Sequence, residues 1–302
     1  MKLLSTLMAV AWGFGSLCWG ARCTTVLDFA ALREYEDYVA TAEPAMAARF
    51  EAGELSWVPD SARREASAQL AAGKLVRWNI SDPALNRRIA SQNGTIIDWV
   101  GAVRIRRTNL ADLRAVLEDY GRYADVYRPM IFECHAAQTA ATAYDATIGL
   151  NNKFRFASVF PQHYSFRVKA RISYSIGGQR SVPASELLVH LRSNEIRESD
   201  SGEPGRLDFL EPYHDHGIMW ALNSWWRIRQ QGPDLYFEFE SITLARSAQQ
   251  FACKLGIIPV PRSIVSSAMD SIPAESLETV LVGTRAECAR RASGLGARAS
   301  AE

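Results

Sequence analysis

Hydrophobic and polar positions change period twice along the chain. From Thr25 to Ala72 apolar residues return at three- and four-residue steps, as Leu27, Ala31, Tyr35 and Tyr38 and then Met46 and Phe50, which predicts helices with one buried face. Pro44 and the Pro59-Asp60-Ser61 step punctuate this region, and Asp60 or Ser61 is placed to cap a helix over 62–72 that Gly73 ends. Lys74 to Gly94 is mixed and closes on Asn93-Gly94, a turn signal. At Thr95 the texture changes. Ile96–Arg106 reads as a strand, and Thr108-Asn109 can cap a helix carrying Leu110, Leu113, Val116, Leu117 and Tyr120 on one face. A second short helix over Tyr123–Arg128 stops at Pro129, and Ile131–Thr139 and Thr142–Leu150 can pair as a hairpin. Gln162–Ser175 alternates: Tyr164, Phe166, Val168, Ala170, Ile172 and Tyr174 share one face, and His163, Arg167, Lys169 and Arg171 the other. That is the pattern of a half-buried antiparallel strand, with Gly177-Gly178 as the turn after it. Glu186–Arg197, His216–Arg229 and Leu235–Ala245 follow as strands, and from Arg262 the helical period returns through Ile264, Ala268, Leu277, Val280, Leu281 and Thr284. Pro273 is placed to kink that helix or to begin its second part, and the small, polar residues after Ala292 predict a disordered tail.

The order is therefore a strand, two short helices, a run of about six antiparallel strands and a long C-terminal helix, an α+β arrangement. A sheet of that size needs cover for its apolar face, and the terminal helix is the element long enough to supply it. Three segments carry a resemblance: DWVGAVRI from Asp98 to Ile105, HDHGIMWALNSWWRIRQQGPDLYFEFESITLAR from His214 to Arg246, and SIPAESLETVL from Ser271 to Leu281. They resemble exported bacterial proteins of the START-like (SRPBCC) superfamily, which includes polyketide cyclases and coenzyme-Q-binding proteins, and Thr108–Pro129 looks like that family's opening helices. The resemblance covers about two thirds of the chain. It implies a helix-grip fold, a curved antiparallel sheet around the long C-terminal helix with an apolar tunnel between them. The chain then divides into a signal peptide over 1–21, an N-terminal helical extension over 22–95, a START-like domain over 96–292 and a tail over 293–302.

Composition narrows the partners. With 48% hydrophobic and 22% charged residues and a net charge of +1, no global field recruits nucleic acid. Lys2 is the only charge before Arg22, and Leu3–Trp19 is apolar, small or weakly polar. That describes a secretory leader cleaved after Gly20 or Ala21; an uncleaved anchor is the alternative. Arg22 directly before Cys23 disfavours a lipoprotein. The expectation is an exported protein, periplasmic or secreted, in which Cys23, Cys134, Cys253 and Cys288 permit two disulfides in three pairings or remain buried thiols.

The candidate chemistry is that of a binding site. Ile218, Trp220, Leu222, Trp226 and Ile228 fall on one strand face with Ser224 among them, while Met219, Asn223, Trp225 and Arg227 fall on the other. Tryptophan offers a large apolar surface with one N–H donor, suited to a ring or acyl chain. With Tyr164, Phe166 and Tyr174 on the alternating strand and Phe237 and Phe239 on the last, these give the predicted ligand-lining set: Tyr164, Phe166, Tyr174, Trp220, Leu222, Ser224, Trp226, Phe237 and Phe239. Ser241 and Thr243 share the inward parity of the last strand, and Glu238 and Glu240 face the other way, although Ile242 and Leu244 share their parity. The motifs of hydrolases, P-loop proteins and dinucleotide enzymes are missing, so no catalytic residue, cofactor or metal is assigned. His214-Asp215-His216 is read as hydrogen-bonding at the sheet edge in preference to a zinc site. Arg167, Lys169 and Arg171 form a basic stripe, read as a solvated face with peripheral membrane contact as the minority alternative. The favoured function is an exported binder of a hydrophobic small molecule or lipid. The alternatives are a cyclase- or hydrolase-like enzyme that would draw on His190, Glu240 or His216, and an envelope interaction protein.

Overall fold

A computed structural model describes residues 24–80, 94–156, 160–176, 183–200, 208–247 and 262–299. The predicted leader, Cys23, Cys253 and the Gly177-Gly178 turn lie outside these residues. The chain opens with β1 (Thr25–Val26), α1 (Phe29–Glu51), α2 (Asp60–Ala71) and β2 (Val76–Asn79). Then come β3 (Gly94–Ile105), α3 (Leu110–Leu117) and α4 (Tyr123–Val126). The remaining strands are β4 (Ile131–Ala140), β5 (Ala143–Phe156), β6 (Phe160–Ile176), β7 (Glu186–Glu198), β8 (His214–Asp215), β9 (Ala221–Gln231) and β10 (Asp234–Arg246), and α5 (Arg262–Ala299) closes the fold. An 8-stranded sheet runs in the order β2-β3-β10-β9-β7-β6-β5-β4, with every pairing antiparallel. Val76–Asn79, in the stretch that reads as mixed, is its edge strand beside β3. The fold is α+β, a helix grip in which one antiparallel sheet packs against the long C-terminal helix.

Parity sorts the sheet into two faces. Ile97, Val103 and Ile105 on β3, Phe237 and Phe239 on β10, Trp226 and Ile228 on β9 and Val168 and Ile172 on β6 share one core with Leu277, Val280 and Leu281 of α5. The opposite face divides. Over β6 it is wet, and Arg167, Lys169 and Arg171 meet Glu133 at 3.2 Å, Glu195 at 2.9 Å and Asp145 at 3.9 Å. The basic stripe is thereby matched by acids on the flanking strands β7 and β5 and, one strand further, on β4. Over β3, β10 and β9 that face is buried a second time, beneath α1 and α2: Ile96, Trp225, Ile242 and Leu244 pack with Tyr35 and Met46, and Val100, Ala102 and Tyr236 pack with Phe50, Trp57 and Leu70. This explains why β6 alternates in sequence whereas β3 reads as a near-continuous apolar run.

The helical ends follow local chemistry. The Asp28 carboxylate accepts the Ala30 N–H at 2.8 Å at the start of α1, and Asn109 Oδ1 accepts the Asp112 N–H at 2.9 Å at the start of α3. Gly73 takes φ +77° after α2, as its position predicted. Two expectations shift. Pro44 does not interrupt α1, which runs through it for 23 residues because Tyr35, Met46 and Phe50 anchor both sides of the proline to the sheet. Nor does α5 stop near Ala292; it continues to Ala299 with Pro273 inside.

Gly101 marks the closest approach of sheet and helix, since a Cβ there would lie 2.5 Å from Leu277 Cδ2 and 3.2 Å from Leu281 Cδ1. Both leucines are fully buried and have no room to give. Gly101→Ala is therefore expected to destabilise the fold by about 1–3 kcal/mol, read as a lower urea midpoint with an unchanged m-value.

Candidate functional site

Between the sheet and α5 lies a cavity with about 100 Å³ of space open to the centres of water-sized molecules. A single water needs roughly 10–15 Å³ on that measure, so the space suits several waters or one ring-sized ligand. Its floor is the inner face of the central strands: Leu222, Ser224 and Trp226 from β9, Phe239, Ser241 and Thr243 from β10, Ile97 from β3 and Leu191 from β7. Its walls are Ile148, Leu150 and Asn152 of β5 with Val168 and Ile172 of β6. Tyr123, Tyr127, Met130 and Ile131 close the end beneath α4, Ile218 and Met219 precede β9, and Ile272, Pro273, Ser276 and Val280 of α5 form the roof. Among the described residues no Asp, Glu, Lys, Arg or His side chain is in the lining.

Of the nine predicted lining residues, Leu222, Ser224, Trp226 and Phe239 are brought together on the floor. Phe237 packs behind Trp226, with ring centroids 6.2 Å apart, and does not reach the cavity. Phe166 is fully buried in the same core, and Tyr164 packs against its margin. Tyr174 is held elsewhere: its hydroxyl lies 2.9 Å from that of Tyr120 and donates to the Leu117 carbonyl at 3.1 Å. It belongs to a tyrosine cluster with Tyr120, Tyr123 and Tyr144 in which burial pushes the Tyr120, Tyr123 and Tyr174 hydroxyls upward in pKa. Trp220 points to the other face, against α1, where its Nε1 donates to Asp215 at 2.9 Å. Strand parity placed it inward, but β9 begins only at Ala221, and the left-handed Gly217 (φ +73°) turns the chain before it. The same turn brings Ile218 and Met219 to the wall together. The walls drawn from α4 and α5 have no period-2 signature, so the sequence pattern did not reveal them.

His190, Glu240 and His216, the candidates for an ionisable group in an enzyme of this kind, are not among the residues that line the cavity. His190 stacks on Trp225 at 4.7 Å on the outer face, with Nε2 3.1 Å from Asn223 Oδ1, and burial lowers its pKa. Glu240 receives two 2.7 Å hydrogen bonds from Arg49 of α1. His216 Nδ1 lies 2.9 Å from Oε1 of the fully buried Glu198. Beside it Asp215 accepts the Gly217 N–H at 2.7 Å, and burial, with Glu198 nearby, raises its pKa to about 7. Among the described residues no group of three His, Cys, Asp or Glu side chains is arranged to hold a metal ion. Cys134 and Cys288 are free, and burial pushes both thiols up to about 12.

The outer face carries the densest buried polar cluster. Tyr38 donates to Asp98 at 2.6 Å, Trp57 Nε1 and Tyr236 donate to Glu238 at 2.7 and 2.6 Å, and Tyr35 donates to the Ile242 carbonyl at 3.0 Å. Asp98, Glu238 and Glu240 thus lie under α1 and its following loop with Arg49 and Arg227 as the nearby cations. Burial raises all three carboxyls, Asp98 to about 6.

No protein-family model matches the chain, and no curated protein matches it. Solved structures of similar shape include a STAR-related lipid transfer protein fragment from Xanthomonas axonopodis, with 9% identity over 70% of this chain and 98% of that one and a TM-score of 0.40. The Zhui aromatase/cyclase of a Streptomyces species has 12% identity over 65% and 96%, with a TM-score of 0.41. Human STARD10 has 11% identity over 75% and 80%, with a TM-score of 0.36. At these values the ligands and reactions of those proteins are not transferred to this chain.

The outer cluster gives a signed pH dependence. A carboxyl whose pKa is raised on folding adds stability below its unfolded value, and that stability is lost as pH rises through the folded one. For Asp98 the window runs from about 4 to about 6. Asp98→Asn keeps an acceptor for Tyr38 and removes the charge. The variant is expected to narrow the difference in unfolding free energy between pH 5 and pH 8 by about 1–3 kcal/mol, measured by urea titration at both pH values.

Proposed function

We propose that this chain is an exported protein that binds a hydrophobic small molecule or lipid in the cavity between the sheet and α5. The observation that carries the reading is the lining itself, which is apolar in the main, drawn from the sheet, α4, α5 and the segment before β9, and free of charged side chains among the described residues. Such a space, with a few polar groups inside it, is the usual form of a small-molecule site. A ligand that leaves about 200 Å² of apolar surface there gains about 5 kcal/mol before ordering costs. A reaction in this cavity would need an acid or base within reach of the substrate, and His190, Glu240 and His216 are all engaged elsewhere. Binding and carriage therefore suit the site better than turnover.

Export rests on the leader-like composition of the first twenty residues, a single positive charge followed by an apolar run. The expected mature N-terminus is Ala21 or Arg22. Edman sequencing of the protein recovered from outside the cytoplasm reads this directly, and a chain retained in the cytoplasm with Met1 intact would refute it.

Native mass spectrometry of the protein purified without detergent tests the binding reading. A bound mass that organic extraction removes is expected in the wild type. It should be lost in Leu222→Trp, which fills the floor, while that variant keeps its far-UV circular dichroism. A wild-type protein that stays ligand-free, even after incubation with a total lipid extract, would refute it.

A further inference from the structure

The floor of the cavity is not uniformly apolar, and its polar atoms form a pattern. Ser224 on β9 and Ser241 on β10 are direct cross-strand partners, and both face the cavity. Trp226 lies one step along in one direction, opposite Phe239, and Thr243 one step along in the other, opposite Leu222. Directly opposed residues sit about 5 Å apart, and same-face neighbours along a strand about 7 Å apart. The indole, the serine pair and the threonine therefore form a polar stripe of about 14 Å across the two central strands.

None of these groups is satisfied by the protein. Trp226 is 7% exposed and its Nε1–H has no hydrogen-bond partner among the described residues. The hydroxyls of Ser224, Ser241 and Thr243, each on a buried residue, likewise have none there. On and just before the same strand, Trp220 Nε1 donates to Asp215 and Trp225 Nε1 to Glu43, whereas Trp99 Nε1 on β3, opposite Ser241, shares with Trp226 the lack of a partner among the described residues. A buried donor left without an acceptor costs about as much as a lost hydrogen bond, so the Trp226 indole calls for an acceptor from outside the chain, and the three hydroxyls on the same cavity floor can add to its binding. The indole can only donate, whereas the hydroxyls can donate or accept. Whatever meets Trp226 must then offer an acceptor. Among the described residues the lining contains no charged side chain to pair with an ion, and an unpaired carboxylate or phosphate is costly to bury.

We infer that the cavity selects a neutral molecule that carries an oxygen acceptor, such as a ketone, quinone or ether oxygen, within an apolar ring system, with that oxygen against Trp226 and the Ser224–Ser241 pair. The inference rests on the binding reading above and specifies its ligand class. It places the polar function of the ligand deep, on the sheet floor, and excludes an ionised headgroup from the interior.

A matched series separates the two. Equilibrium dialysis at pH 8 with 2-ethylnaphthalene, 2-acetylnaphthalene and 2-naphthoate compares a hydrocarbon, a neutral ketone and an anion of nearly one shape. In the wild type the ketone is expected to bind more than tenfold tighter than the carboxylate. In Trp226→Phe, and separately in Ser224→Ala/Ser241→Ala, the ketone should lose about three- to tenfold more affinity than the hydrocarbon loses. Thermal melts confirm that each variant is folded, and either variant alone suffices. Equal losses for ketone and hydrocarbon would overturn the polar stripe and leave the cavity a plain apolar binder. Tighter binding of the carboxylate would overturn neutrality. If none of the three probes binds the wild type, the binding reading falls and this inference with it.

Discussion

Strands β3, β10 and β9 are desolvated on both faces, and this double burial governs how the rest of the chain is arranged. On one side α5 covers them, and on the other α1 and α2 do. A single helix cannot supply both covers, so the N-terminal helices are part of the architecture and not an appendage. The two covers differ in chemistry. The inner one meets the sheet through aliphatic and aromatic side chains and leaves a cavity; the outer one meets it through hydrogen bonds and an Arg49–Glu240 ion pair among buried aromatic rings. Acids whose pKa burial raises are tolerable on the outer side because Arg49, Tyr38 and Trp57 reach down from α1 and the loop after it. Nothing comparable reaches into the inner side.

That separation of polar from apolar chemistry gives the site its character. Every titratable group with a strong partner, including His190, His216, Glu198 and Glu240, is spent on holding layers or turns together. Among the described residues the lining of the interior carries no charged side chain, and its polar side-chain atoms are hydroxyls, an amide and one indole N–H. Such an interior can discriminate by shape and by the position of an oxygen.

Sequence pattern revealed the parts of this that repeat with a fixed period. The alternation of Tyr164, Phe166, Val168, Ala170, Ile172 and Tyr174 located β6 and its inward face, and the parity of Phe239, Ser241 and Thr243 located the floor. The order of strands and helices indicated the helix grip. Parity failed where a strand stopped being a strand: Trp220 sits one residue before β9 and turns outward, so extending the alternation through Gly217 misplaced it. It also failed where burial was doubled. Glu238 and Glu240 looked solvent-facing because charges normally are, yet they share their parity with Ile242 and Leu244, and that mixed parity was the legible sign of a second cover. The contributions of Tyr123, Met130, Ile272 and Val280 to the cavity depend on how helices lie over the sheet, which no local period encodes.

The pairing of β3 with β10 has a further consequence, for the time at which the sheet can form. Gly94–Ile105 has its partner in Asp234–Arg246, close to the other end of the chain. At a synthesis rate of about 5–20 residues per second, β3 waits roughly 7–28 s before β10 exists. Throughout that interval it presents an unpaired, apolar edge, the kind of segment that associates with other chains. β3 and β10, neighbours in the finished sheet, are thus an early and a late arrival, and the hairpins between them in sequence can form first.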